Sequence, residues 1–315
     1  MKSAIVLGGS GFIGSACVAA LRGAGWYARA EPAPRLTTRA RSPRELTSEL
    51  PHHKATIDRL AEVLDSTDVV INAGGMPANN ASDSDDLFGA NSLLPGVVAF
   101  AARQAGVRRF IHLSSISVQG RMDPLDETMR HHVHSPYSSS RSLGEQIIEG
   151  PEHDHTVILR LLSVHGVARA GTWRLNRIAH SPFSSTAGRG DRPTPLALIE
   201  NVGAAVEFLA AYEGNVPKVV LQPTEGITTG DVLELLGDRK PRHVPVRLAK
   251  PLTTLLLLAG RRSRRAHTLG RGIELLWLGQ GQKRSWLTEA GFVSPVGAEG
   301  WAAMGRALNL SKSAT

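Results

Sequence analysis

The chain has 315 residues, 42% of them hydrophobic, with 36 Lys plus Arg, 28 Asp plus Glu and a single cysteine, Cys17. That suffices for one large α/β domain or two smaller ones, and it excludes an internal disulfide framework. The net charge of +8 favours anionic ligands. Nucleic acid is not an expected partner, because the basic residues are scattered and aromatic stacking surfaces are few.

Residues 4–7, AIVL, read as a short buried strand, followed by GGSGFIG and a helix with Phe12, Ile13, Ala16, Cys17, Ala20 and Leu21 at helical spacing. The first 23 residues superficially resemble a signal peptide, but four glycines within seven residues make a poor hydrophobic helix. No apolar run reaches the roughly 18–20 residues of a membrane span. A cytoplasmic protein without a membrane partner is expected.

Further strands are read at 68–74, 109–115, 156–162 and 218–223, and helices at about 58–65, 91–105 and 136–149. The strands are continuously apolar, which indicates a parallel sheet covered by helices on both faces. The expected fold is therefore α/β: a Rossmann doubly wound sheet over residues 1–165, with part of 195–225 returning to it. Residues 166–315 read as a smaller α+β substrate lobe, broken by Pro and Gly at 181–195, 214–226 and 237–251. Within it, LTTLLLLAG (252–260) precedes RRSRR (261–265). A packed helix with a solvated basic tip is the expectation, and a membrane-surface helix the alternative.

Gly8, Gly11 and Gly14 lie three apart, directly after a strand and into a helix. Glycines so placed allow a tight turn and close backbone approach to a pyrophosphate, which then meets the exposed N–H groups at the helix start. At the end of the second strand an acid suits the ribose hydroxyls of NAD, whereas arginine suits the 2′-phosphate of NADP. Here Glu31 is followed by Pro32 and by Arg35, Arg39 and Arg41, so NADP held by Arg35 is expected, with NAD the alternative.

GGSGFIGS, DVVINAG, Asn91 opening a helix, RRFIHLSSISVQG, SPYSSSR…GEQ and VILRLLSVHG occur in an order that resembles the extended short-chain dehydrogenase/reductase family. Over residues 1–210 the chain looks most like its NAD(P)-dependent epimerase/dehydratase branch, which acts on nucleotide sugars. The resemblance implies cofactor contacts from Gly8, Ser10, Gly11, Phe12, Ile13, Gly14, Asn72, Ala73, Gly74, Asn91 and Ser114. It also implies a homodimer through helices 91–105 and 136–149. For the chemistry it implies Ser115 holding the substrate oxygen and Tyr137 passing a proton. A cation at position 141 would support the tyrosine and contact the cofactor.

The family uses lysine at that last position, whereas this chain has Arg141. Four residues apart on a helix, Tyr137 and Arg141 share a face. Arginine keeps the positive charge but loses any proton relay through an amine. Other departures are Gln119 for tyrosine, Glu200 for aspartate, and PHHKATI (51–57) where an acid after the third strand is usual. Arg192 and Arg160 are candidates for a substrate diphosphate. The cluster HHVH (131–134) lacks further convergent ligands, so no metal is expected. The expected activity is oxidoreduction or epimerisation of a nucleotide-linked sugar. A non-catalytic NADP(H)-binding regulator and a reductase of non-sugar carbonyls are the alternatives.

Overall fold

The apolar runs of the first half pair as parallel strands. A computed structural model describes residues 2–77, 82–150, 155–259 and 264–313. In chain order the first half holds β1 (Ser3–Leu7), α1 (Phe12–Gly23), β2 (Tyr27–Glu31), α2 (Pro43–Glu49), α3 (Lys54–Leu64) and β3 (Val69–Asn72). There follow α4 (Asp85–Phe88), α5 (Leu94–Gln104), β4 (Arg109–Ser115), α6 (Pro136–Gln146) and β5 (Thr156–Leu161). The second half holds β6 (Ser163–His165), α7 (Ala170–His180), β7 (Ser185–Ala187), β8 (Leu196–Leu198), α8 (Ile199–Ala211) and β9 (Val219–Leu221). It ends with α9 (Thr229–Gly237), β10 (Arg242–Val244), α10 (Val246–Ala259), α11 (Arg264–Leu278), α12 (Trp286–Glu289) and α13 (Ala298–Ser313).

Six strands form one parallel sheet in the order β2-β1-β3-β4-β5-β9. One face packs on α1 and α8 through Val6, Leu21, Ile111, Leu159 and Val206. The other packs on α3, α5 and α6 through Leu7, Leu64, Val98 and Phe110. This is the Rossmann α/β architecture, with β9 returning to the sheet beside β5.

The stretch 51–57, which stands where an acid after the third strand is usual, is a 3-10 turn (Leu50–His53) running into α3. Ser42 already caps α2 there, with Glu45 completing a capping box and Pro43 at the first helical position, so the connection is committed to helix. The two helices of the expected dimer bury much of their length within the chain. In α5, residues 94–102 are buried except half-buried Phe100, and Leu50 and Ile147 lie against Gly96. In α6, residues 140–145 are buried.

Beyond residue 165 the lobe is mostly helical, with two short strand pairs, β6 with β8 and β7 with β10. Its core joins Val232, Leu236 and Ala179 to Trp301 and Leu308. Helix α10 departs from the packed helix expected. Ala249 and Thr253 are buried, yet Leu252, Leu255 and Leu258 are 45–62% exposed. Residues 261–263 of the basic run lie outside the described residues.

Candidate functional site

Strand order reverses between β1 and β3, and ligands of open α/β sheets bind beyond the carboxyl ends of strands at such a point. The glycine turn and the loop after β3 meet there. Gly8 has φ +72° and donates its N–H to the Glu31 carbonyl at 2.8 Å. A Cβ on Gly14 would come within 2.3 Å of the Gly8 carbonyl, so helix and turn touch backbone to backbone.

Gly11 is different: it is exposed, and the nearest protein atom to its Cβ position is 3.3 Å away. No side chain caps α1, and its first turn carries no acid, which leaves its N–H groups open to an anion. These features fit a dinucleotide pyrophosphate. Gly11→Val is therefore expected to fold with a near-native melting temperature yet lose dinucleotide binding, while Gly14→Val loses the fold. Calorimetric titration and thermal melting check both, and a Gly11→Val protein that still binds would contradict the placement.

Glu31, the last residue of β2, forms an ion pair with Arg29 at 3.0 Å. It lines a cavity of about 240 Å³ with Leu7, Pro34, Leu60 and Arg59, the last a cation that the sequence reading missed. Among the three arginines beyond β2, Arg39 pairs with Asp85, and Arg41 pairs with Asp83 and Asp85 while stacking on Phe88. Arg35 is exposed and has no partner among the described residues.

The loop after β3 is held from below. Asn72 accepts from the Gly74 N–H and contacts His112, and Asn91 binds both backbone groups of Met76 and the Ser140 hydroxyl. Both asparagines are fully buried. They fix the loop backbone at Gly74 and Met76.

Ser115 ends β4 half-buried, and its hydroxyl accepts from the Ser117 N–H at 3.2 Å. Ser135 caps α6 and Pro136 is its first residue, which puts half-buried Tyr137 in the first turn, at the positive end of the helix. One turn on, Arg141 is 9% exposed, with its guanidinium carbon 5.6 Å from the centre of the Tyr137 ring. Arg141 donates one bond, to the Leu113 carbonyl at 3.1 Å, and its buried Nε has no acceptor. An orphaned N–H in this place fits a ribose hydroxyl.

A second cation was missed in the sequence. Arg169, at the start of α7, lies 5.6 Å from the centre of the Phe12 ring, and its guanidinium has no hydrogen-bonded or ionic partner among the described residues. Burial lowers its pKa, and the nearby Tyr137 opposes that shift.

Ser114 faces away from this group. Its hydroxyl donates to Glu145 Oε1 at 2.5 Å, inside a network with His131 and Arg160. Arg160 is fully buried and binds Glu145 through Nε and Nη2. It is thus not available to a substrate diphosphate. Gln119 is likewise buried, bonded to Asp126 at both ends of its amide.

Arg192 is exposed, paired with Asp123 and donating to the Leu278 carbonyl. No group of three His, Cys, Asp or Glu among the described residues converges as a metal site. The larger cavity, about 610 Å³, reaches the site only at Phe12 and Gly166–Ala168; Glu200 and Met304 line its outer part.

None of the curated proteins matches the sequence. Three solved structures with similar folds are MoeE5 in complex with UDP-glucose and NAD, the NADP complex of dTDP-4-dehydrorhamnose reductase from Bacillus anthracis, and the terminal R domain of the myxalamid PKS-NRPS pathway. MoeE5 is 18% identical, with 99% of this chain and 100% of that chain covered at a TM-score of 0.60. The reductase is 13% identical, covering 96% and 98% at 0.61, and the R domain 14% identical, covering 99% and 91% at 0.66. At these identities they establish the fold. The sequence itself matches the NAD dependent epimerase/dehydratase family over residues 4–210, most of the chain and the whole of the glycine turn and Tyr137 helix, and on that match the chain belongs to this family of extended short-chain dehydrogenase/reductase-type enzymes.

Proposed function

We propose that the enzyme exchanges hydride between NADP(H) and a carbon of a nucleotide-linked sugar. Tyr137 donates and accepts the proton, Ser115 holds the substrate oxygen, and Arg141 is the supporting cation. The observation that carries this reading is the Arg141 guanidinium 5.6 Å from the Tyr137 ring and against Gly75, in the loop that meets the glycine turn. Bound dinucleotide supplies the nicotinamide carbon that gives or takes hydride. A phenol titrates near 10 in water, so a tyrosine serving near neutrality needs positive charge around it. Arg141, Arg169 and the start of α6 supply that charge. Arginine does not release a proton in this range, so Arg141 acts by field and hydrogen bonding alone.

A nucleotide sugar is the substrate class supported by the UDP-glucose complex of MoeE5 and by a net charge of +8, which suits two phosphorylated ligands. The test is incubation with a panel of UDP- and dTDP-sugars and each cofactor, with NMR of the sugar. Conversion of one of them supports the proposal. Conversion of a non-sugar carbonyl alone would replace the sugar in this reading, and cofactor binding with no turnover would make the protein a sensor.

The same reading puts the 2′-phosphate of NADP between Arg35 and Arg59, since Asp83 and Asp85 occupy Arg39 and Arg41. NADPH should bind more tightly than NADH. Arg35→Ala should weaken NADPH by about 10–100-fold, the loss of one charge-assisted contact, and leave NADH unchanged. Fluorescence titration reads both. Equal affinities in the wild type would assign the site to NAD, through Glu31.

A further inference from the structure

Helix α10 has the surface of a helix that rests on something. Leu248, Leu252, Leu255 and Leu258 are 45–62% exposed, and at 100° per residue they fall within one sector of about 120°. The opposite side is used inside the protein: Ala249 and Thr253 are buried, and Gly270 of α11 lies against the backbone of Leu256 and Leu257. Among the described residues the exposed sector is thus left over after packing.

Charge says what suits it. Residues 239–273 contain ten Lys and Arg and no Asp or Glu, among them Arg247 and Lys250, both exposed on α10 itself. The first acid beyond, Glu274, is buried and paired with Arg121 and Arg271. A leucine face on a helix that carries exposed Arg247 and Lys250, in a stretch of sequence without acids, matches an anionic bilayer surface, which takes the leucines among its acyl chains and the cations at its headgroups. An ordinary protein partner would need an acidic surface with an apolar groove of helix length. A second copy of this chain would bring the same positive charge against itself. Among the described residues no helix is long and apolar enough to cross a membrane, so the mode is lying on the surface.

We propose that the leucine face of α10 docks the enzyme on membranes rich in anionic lipid. The hairpin it belongs to is joined to the substrate side of the molecule. Arg271 and Gln280 both donate to the Gly120 carbonyl, in the segment leading to Tyr137. Docking therefore sets the orientation of the substrate lobe to the bilayer.

Flotation of the full chain with vesicles tests this, using equimolar phosphatidylglycerol and phosphatidylcholine against phosphatidylcholine alone. The protein should float with the anionic vesicles at low salt and not with the neutral ones. Leu252→Ser with Leu255→Ser, both at the surface, should lower the bound fraction about tenfold without changing the melting temperature or cofactor affinity. No flotation at low salt would overturn the proposal. So would binding that ignores the leucine substitutions, since charge alone would then explain it. A leucine-dependent dimer in light scattering without vesicles would overturn it too, by showing that the face covers itself.

Discussion

Tyr137→Phe should lower kcat/KM by about 10²–10⁴-fold with little change in cofactor affinity, because it removes one oxygen that only the proton transfer uses. The tyrosine is half-buried, and no hydrogen bond to its hydroxyl holds the fold among the described residues, so the variant should melt like the wild type. Arg141 separates two explanations of the altered pair. If its role is the positive charge at 5.6 Å from the tyrosine ring, Arg141→Lys should keep or raise activity, and Arg141→Met should lose roughly as much as Tyr137→Phe. Steady-state rates with the converted nucleotide sugar read all three. Wild-type rates in Tyr137→Phe and Arg141→Met would make both residues structural.

The second large effect is on stability. Glu145 and Arg160 are fully buried and joined at 2.7 Å, with His131 and Ser114 taking the remaining carboxylate positions. Glu145→Gln leaves the Arg160 charge buried without its partner. The expected loss is about 3–5 kcal/mol, a fall in melting temperature on the order of 10 °C. The carboxylate also titrates with the fold. Burial alone would raise its pKa, but hydrogen bonds from His131, Arg160 and Ser114, with the Arg160 charge, bring it from 4.5 down to about 2. A carboxylate with a depressed folded pKa stabilises fully above its unfolded value and loses that contribution as pH falls through the folded one. The gap in melting temperature between wild type and Glu145→Gln should therefore shrink from pH 4.5 towards pH 2. A constant gap would mean that the ion pair does not stabilise the fold.

The sheet was legible because β1, β3, β4 and β5 are continuous apolar runs, and a strand buried on both faces needs them. The glycine turn was legible because its spacing is a steric requirement of the backbone. Misreadings arose where distant segments meet. Arg160 looked like a ligand for phosphate, yet it sits inside the apolar run TVILRLL, the mark of a buried charge whose partner lies elsewhere; that partner, Glu145, is 15 residues away. Arg39 and Arg41 looked like cofactor contacts until Asp83 and Asp85 came beside them across more than 40 residues. The α2 helix could have been read from SPRE at 42–45, a serine cap with proline and a returning glutamate. Arg169 belongs to no motif, and only the fold brings it over Phe12.

One measurement bears most directly on the Tyr137–Arg141 pair: a double-mutant cycle of Tyr137→Phe and Arg141→Met on kcat/KM for the converted nucleotide sugar. If the guanidinium acts through the tyrosine, the double variant should be no slower than the slower single variant, because the second substitution removes nothing that still works. Losses that simply multiply would show two independent contributions and contradict the assignment of Arg141 as the cation of Tyr137.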